Sequence, residues 1–191
     1  MYVQNQLAVA ADEMARLVGG VRPEHLDAPT PCGTFNVSQL LEHLISWAPI
    51  IEAVALRKPL TSGRPDEPTG VLAPGWREDY LRAIDRIVSS WRPDAAWEGT
   101  VDLGFAKAPA SVIGDKNLCE FVVHGWDLAR GTGQEFRCDP DVAGTTLRLV
   151  LETVDVTREA GMFGAEVPQP ESATALERAL GATGRNPAWT A

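Results

Sequence analysis

The sequence is poor in cysteine. Three occur in 191 residues, Cys32, Cys119 and Cys138, and none forms a Cys-x-x-Cys pair. That excludes a disulfide framework and points to a reducing cytoplasm. Long apolar runs are also missing. None reaches the roughly 18 residues that a membrane-spanning helix needs. The N-terminal stretch carries Gln4, Gln6, Asp12 and Glu13 without a basic region, so no signal peptide is expected. Positive charge is scarce as well, with 17 Lys and Arg against 26 Asp and Glu, a net charge of −9. Phosphate backbones and anionic bilayers are repelled by such a field, so neither nucleic acid nor membrane is an expected partner. There is no phosphate-binding Gly-rich loop and no dinucleotide fingerprint. A Ser/His/Asp or Cys/His/Asn arrangement is lacking too, as is a His-Glu-x-x-His motif.

What remains is the composition of a soluble globular chain, 45% hydrophobic and 23% charged. Its length suits one domain over residues 1–191. Val3, Leu7, Ala10, Met14 and Leu17 form one helical stripe over residues 3–18, stopped by Gly19-Gly20. Pro23, Pro29, Pro31 and Gly33 mark a loop. A second helix follows, capped by Asn36 or Ser38, with Val37, Leu40, Leu41, Leu44, Trp47, Ile51 and Val54 on a broad apolar face. Residues 58–75 read as loop. A third helix runs from about Gly75 to Trp91, with Trp76, Tyr80, Ile84 and Ile87 in its stripe. Val101, Leu103 and Phe105 alternate around Gly104 and suggest a short hairpin within residues 97–108. Further helices are expected over residues 111–130, 141–158 and 172–181. Five or six helices with one hairpin make an all-α bundle.

A bundle builds its sites from side chains on facing helices. His43 lies in an apolar helical run, and His124 lies in another. Glu120 precedes His124 by four residues, so the two share one helical face. They can reach a single metal ion, and His43 from a neighbouring helix would complete a His2Glu set. Three protein ligands with an open fourth position suit catalytic zinc or non-haem ferrous iron. An alternative reading makes Glu120 and His124 a helix-stabilising pair and His43 a core histidine. Asp127 is either an orienter of the His124 ring or a solvated helix residue. Asn117, one turn before Glu120, is equally open. His25 reads as a surface residue. Cys119 points roughly 100° away from Glu120 and reads as buried filler. Cys32 reads as a packing residue near the mouth of the bundle. No general acid or base is identified.

The run Pro29-Thr30-Pro31-Cys32-Gly33-Thr34-Phe35-Asn36-Val37, followed by Leu40-Leu41-Glu42-His43-Leu44, resembles the N-terminal signature of the mycothiol-dependent maleylpyruvate isomerase-like proteins. These belong to the DinB-like superfamily of metal-binding four-helix bundles. Glu120-Phe121-Val122-Val123-His124-Gly125-Trp126-Asp127-Leu128-Ala129 is similar to their second motif. Gly184-Arg185-Asn186-Pro187-Ala188-Trp189 resembles the close of actinobacterial members. The resemblance implies a DinB-like four-helix bundle with extra C-terminal helices and a short hairpin. It implies a divalent metal on His43, Glu120 and His124, usually zinc, with iron or nickel as alternatives, and mycothiol as cosubstrate. The implied activity is a thiol-dependent transferase or isomerase acting on a small electrophile. The alternative is a non-catalytic metal-bound bundle that binds or senses a small ligand. Phe35 stands where many members carry Trp. The family's isomerase has a further C-terminal domain that contributes to its active site, for which residues up to Ala191 leave no room. The expectation therefore concerns the metal bundle and its thiol chemistry, not that particular reaction.

Overall fold

The computed structural model describes residues 3–33, 35–60 and 63–190. Six α-helices carry the architecture: α1 (Val3–Gly19), α2 (Val37–Ala55), α3 (Trp76–Trp91), α4 (Ala110–Gly131), α5 (Pro140–Glu159) and α6 (Ala175–Ala182). Helices α1 to α4 form the bundle. α1 packs on α3 and α4, and α2 packs on the same two helices from the other side. α5 lies against α4 and α1, and α6 lies against α5. This is the expected all-α, DinB-like bundle with additional C-terminal helices.

Local sequence sets the helix ends. The Asn36 side chain accepts from the Gln39 N–H, and the Gln39 side chain accepts from the Asn36 N–H, a reciprocal cap that chooses Asn36 over Ser38. Asp139 caps α5 with Pro140 at its first position. Thr174 and Glu177 cap α6 in the same reciprocal way, so that helix starts at Ala175 rather than 172. Pro49 sits inside α2, on its exposed face, where the missing N–H leaves the helix one hydrogen bond short.

The apolar stripes meet in one core built around Leu7, Met14, Leu17, Leu40, Leu41, Tyr80, Ile87, Trp91 and Leu118, all nearly inaccessible to solvent. On the back of α4 a smaller cluster joins Val123 and Trp126 to Leu180 of α6, with Trp189 packed against it. α4 is thus covered on both sides, by the bundle and by the C-terminal segment.

The expected hairpin forms from two short antiparallel strands, β1 (Thr100–Asp102) and β2 (Lys107–Pro109), paired Val101 to Ala108. At its turn, the ring of Phe105 stands edge-on to Trp47 of α2, with centroids 6.3 Å apart. The loop after α2 is tied back to Glu42, whose Oε2 accepts the Gly70 N–H at 2.6 Å and whose carboxylate also accepts the Thr69 hydroxyl at 3.3 Å.

His25 departs from the surface position expected of it. Its Nδ1 accepts the Arg22 backbone N–H at 3.1 Å and closes a one-turn 3-10 helix, Pro23–His25, which buries the ring. The breaker-rich loop context signals exposure, but the local cap outweighs it.

Candidate functional site

His43 lies on α2, and Glu120 and His124 lie one turn apart on α4, at the point where these helices face each other. Glu120 Oε2 is 3.5 Å from His43 Nε2 and 3.2 Å from His124 Nε2. The two imidazole centroids are 5.3 Å apart, with the rings steeply inclined. All three donor atoms lie within 4.8 Å of one another. Donors bound to one zinc at about 2.0–2.2 Å in a tetrahedron stand roughly 3.3–3.6 Å apart. The spacing of Glu120 from both rings therefore fits a shared cation. In the absence of a cation the same spacing places both imidazoles in hydrogen-bond and ion-pair reach of the Glu120 carboxylate.

Access to the site is uneven. The Glu120 side chain is 41% exposed, that of His43 24% and that of His124 12%. The site is therefore open on the Glu120 side and closed behind His124. Phe35 and Trp47 wall the His43 ring, with centroids at 5.6 and 6.5 Å. Phe35 thus supplies an aromatic contact to the His43 ring.

Behind His124 lies a second layer. Its Nδ1 is 3.0 Å from Asp127 Oδ2, and Asp127 is fully buried. That contact directs Nε2 into the site and settles the two readings of Asp127 in favour of an orienter. Asp127 in turn receives Arg185, whose Nη2 donates to Oδ2 at 2.9 Å and whose Nε lies 3.4 Å from Oδ1. Arg185 also approaches Cys32 Sγ at 3.4 Å and donates to the Thr183 carbonyl at 3.1 Å.

The charges are strongly coupled. Burial pushes the Glu120 carboxyl up, but the adjacent His124 charge and hydrogen bonds from both imidazoles outweigh it and hold the group well below the usual carboxylate range. Burial opposes a proton on His124. Glu120, Asp127 and Cys32 outweigh that effect and raise its pKa well above the ordinary histidine value.

A second donor group, Cys32, His124 and Asp127, shares His124 with the first. It suits a cation poorly, because the buried guanidinium of Arg185 already lies against both the thiol and the carboxylate. Cys32 nevertheless stands beside His124 and Asp127, where the sequence suggests a packing residue near the mouth of the bundle. Gly131 accounts for this placement. A side chain there would come within 3.0 Å of the Pro29 carbonyl, so glycine lets the Cys32 loop close on the end of α4. Cys119 belongs to neither donor group and packs against the core, as expected.

Arg185 is the residue of this layer to which the sequence assigns no role. Its signals are its place in the closing motif Gly184-Arg185-Asn186-Pro187-Ala188-Trp189 and its position as a charged residue just after a Gly-terminated helix. Gly184 has φ +86°. Its N–H bonds the Gly181 carbonyl, and the Arg185 N–H bonds Leu180. This helix-ending motif turns the chain and aims Arg185 back at α4.

Uncharacterized proteins from two strains of Mycobacterium tuberculosis are each 27% identical over 134 residues, covering 70% of this chain and 69% of theirs. No solved structure matches. The family model described as the mycothiol maleylpyruvate isomerase N-terminal domain matches residues 7–129, a span that holds His43, Glu120, His124 and Asp127 and stops short of Arg185. The chain belongs to the mycothiol maleylpyruvate isomerase N-terminal domain family.

Proposed function

We propose that residues 1–191 act as one unit that binds a single divalent cation through His43, Glu120 and His124. The cation serves to turn a low-molecular-weight thiol, mycothiol, on a small electrophilic substrate, as a transferase or isomerase. The observation that carries this reading is the convergence of three donor atoms from two helices on a point open on one side. Two imidazoles and one carboxylate suit zinc, and they also accommodate iron or nickel. Three free cysteines fit a reducing cytoplasm. No helix among the described residues is long and apolar enough to cross a membrane.

The chain's own residues have defined tasks. When bound, the cation supplies a Lewis acid that lowers the pKa of a thiol at its open position. Glu120 contributes one negative charge and the imidazoles none, so the site keeps a net positive charge that favours an anionic fourth partner. Asp127 holds the His124 Nδ1 proton and fixes the ring. Arg185 compensates the buried charge of Asp127. Phe35 and Trp47 flank the His43 ring and limit its orientation.

A second reading is a bundle that binds a small ligand without turning it over. It draws on the cleft beside the donors, where the polar residues apart from His43 and Glu120 are Tyr80 and Asn117. X-ray absorption of zinc-loaded protein with mycothiol tests both readings. A sulfur at about 2.3 Å from zinc is the expected result, and an unchanged spectrum at saturating thiol removes the thiol-dependent reading. With sulfur bound, conjugation across a panel of electrophiles separates enzyme from binder.

A further inference from the structure

Cys32 stands where a surface loop meets a buried layer of charge. Its N–H donates to Thr30 Oγ1 at 3.3 Å, which holds the loop in place. Its sulfur accepts from Nη2 of the buried Arg185 at 3.4 Å. The same Nη2 donates to Asp127 Oδ2 at 2.9 Å. Donor atoms of Cys32, His124 and Asp127 all lie within 4.8 Å of one another. One guanidinium nitrogen thus joins the thiol to the carboxylate that orients His124.

The loop is also within reach of solvent. Cys32 is half-buried, and its neighbour Gly33 is exposed at φ +70° with open space where a side chain would stand. A group bonded at this loop therefore has room on the Gly33 side. Neither of the other thiols combines access with a cationic contact. Burial first, and neighbouring carboxylates after it, push Cys119 and Cys138 up to about 12.

We propose that Cys32 is a modification site for small disulfides, and that the mixed disulfide formed there loosens Arg185 from Asp127 and so frees the His124 ring. The Cys32 sulfur attacks one sulfur of the disulfide. A new S–S bond forms as the old one breaks. Cys32 is oxidised, and the departing half is reduced and leaves with the proton that Cys32 gives up. Negative charge spreads over the three sulfurs during the exchange, and the guanidinium is placed to stabilise it. Once the bond has formed, the added bulk falls on the nitrogen that holds Asp127. The inference rests on the proposed function in one respect, that His124 holds the cation, so that freeing its ring weakens cation binding.

The test uses the full-length protein, labelled with nitrogen-15 and first kept free of metal, with glutathione disulfide at neutral pH as the probe. Peptide mapping should find one glutathionyl group, on Cys32, with Cys119 and Cys138 reacting at least about tenfold more slowly. The His124 ring-nitrogen resonances should move as the adduct forms and return on reduction with dithiothreitol. Zinc added afterwards should bind about tenfold more weakly to the adduct than to the reduced protein. Cys32→Ser should show neither the adduct nor the shift. No adduct, an adduct first on Cys119 or Cys138, unmoved His124 resonances, or measurable zinc binding that is equal in both forms overturns the inference. Should Cys32→Ser not fold, Cys32→Ala takes its place, and reversal by dithiothreitol in the unsubstituted protein decides alone if neither folds. Mass and resonance are read without metal, so failure of the exchange leaves the metal reading standing, and failure of that reading leaves these two results intact.

Discussion

Arg185 and Asp127 form an ion pair in which both side chains are almost wholly buried, at 8% and 0% exposure, with nitrogen and oxygen 2.9 Å apart. The pair joins two parts of the chain 58 residues apart. One end is tied to the turn after α6 and the other to the His124 ring. The C-terminal segment is therefore part of the candidate site, although it touches none of the three donors directly.

Removing one partner of such a pair leaves an uncompensated charge in the interior. Arg185→Met should cost about 3–5 kcal/mol. For a chain of this size that lowers the melting temperature by roughly 10 °C. Zinc affinity should fall about tenfold or more, because the Asp127 contact that orients His124 is disturbed. The double variant Arg185→Met/Asp127→Leu should recover part of the stability and none of the zinc affinity. Thermal melts with zinc titrations check both effects, and wild-type stability in the single variant contradicts the account.

The turn that delivers Arg185 depends on Gly184. At φ +86° an alanine is strained, and its side chain would come within 2.8 Å of the Gly164 Cα. The backbone strain alone costs about 1–2 kcal/mol. Gly184→Ala should therefore lower the melting temperature and also weaken zinc binding. Gly144→Ala, placed in open space on α5, should do neither. Equal zinc affinities in the two variants would separate the turn from the site.

These effects also show where reading the sequence succeeded and where it stopped. Helices α1 to α5 were legible because each carries an apolar stripe at helical spacing, and the hairpin because Val101 and Leu103 alternate around a turn. The proposed donors are legible because a four-residue spacing puts Glu120 and His124 on one face and His43 lies in a second apolar helix that faces them, a set the family resemblance also implies. The tertiary partners were not. Arg185 has no periodicity to mark it, and its role exists only once α6 has docked on α5. Cys32 reads as packing because nothing local shows its loop closing on the end of α4. His25 reads as a surface residue because breakers surround it, whereas a single backbone hydrogen bond turns it inward.

The cysteines carry a prediction in pH. Burial, followed by the nearby carboxylates Glu120 and Asp115, pushes the Cys119 thiol up to about 12. Burial, then Asp139 and Glu13, does the same for Cys138. Both thiols should stay protonated at pH 8, so iodoacetamide should modify them slowly, with rates rising steeply toward pH 12. In the unfolded chain the same thiols titrate near 9. The unfolded state then binds fewer protons, so these groups favour the folded state below pH 9 and lose that contribution between about pH 9 and 12. Peptide mapping after timed alkylation reads the rates. Rapid labelling of Cys119 in folded protein at pH 8 would contradict its packed position.

The donor assignment has a direct thermodynamic consequence. A cation that binds only the folded chain stabilises it by RT ln(1 + [L]/Kd), about 2.7 kcal/mol at one hundred times Kd. That should raise the melting temperature by roughly 5–10 °C. His43→Ala, Glu120→Ala and His124→Ala each remove one donor and should each weaken zinc retention at least tenfold, since loss of outer contacts alone reaches that size. The zinc-dependent rise in melting temperature should shrink in all three. Cys119→Ser should keep the full rise, because its sulfur belongs to neither donor group. Zinc content after gel filtration provides a second measure that does not depend on stability. Wild-type zinc content in all three donor variants would overturn the assignment. Loss of zinc in Cys119→Ser alone would move the site to the other side of α4.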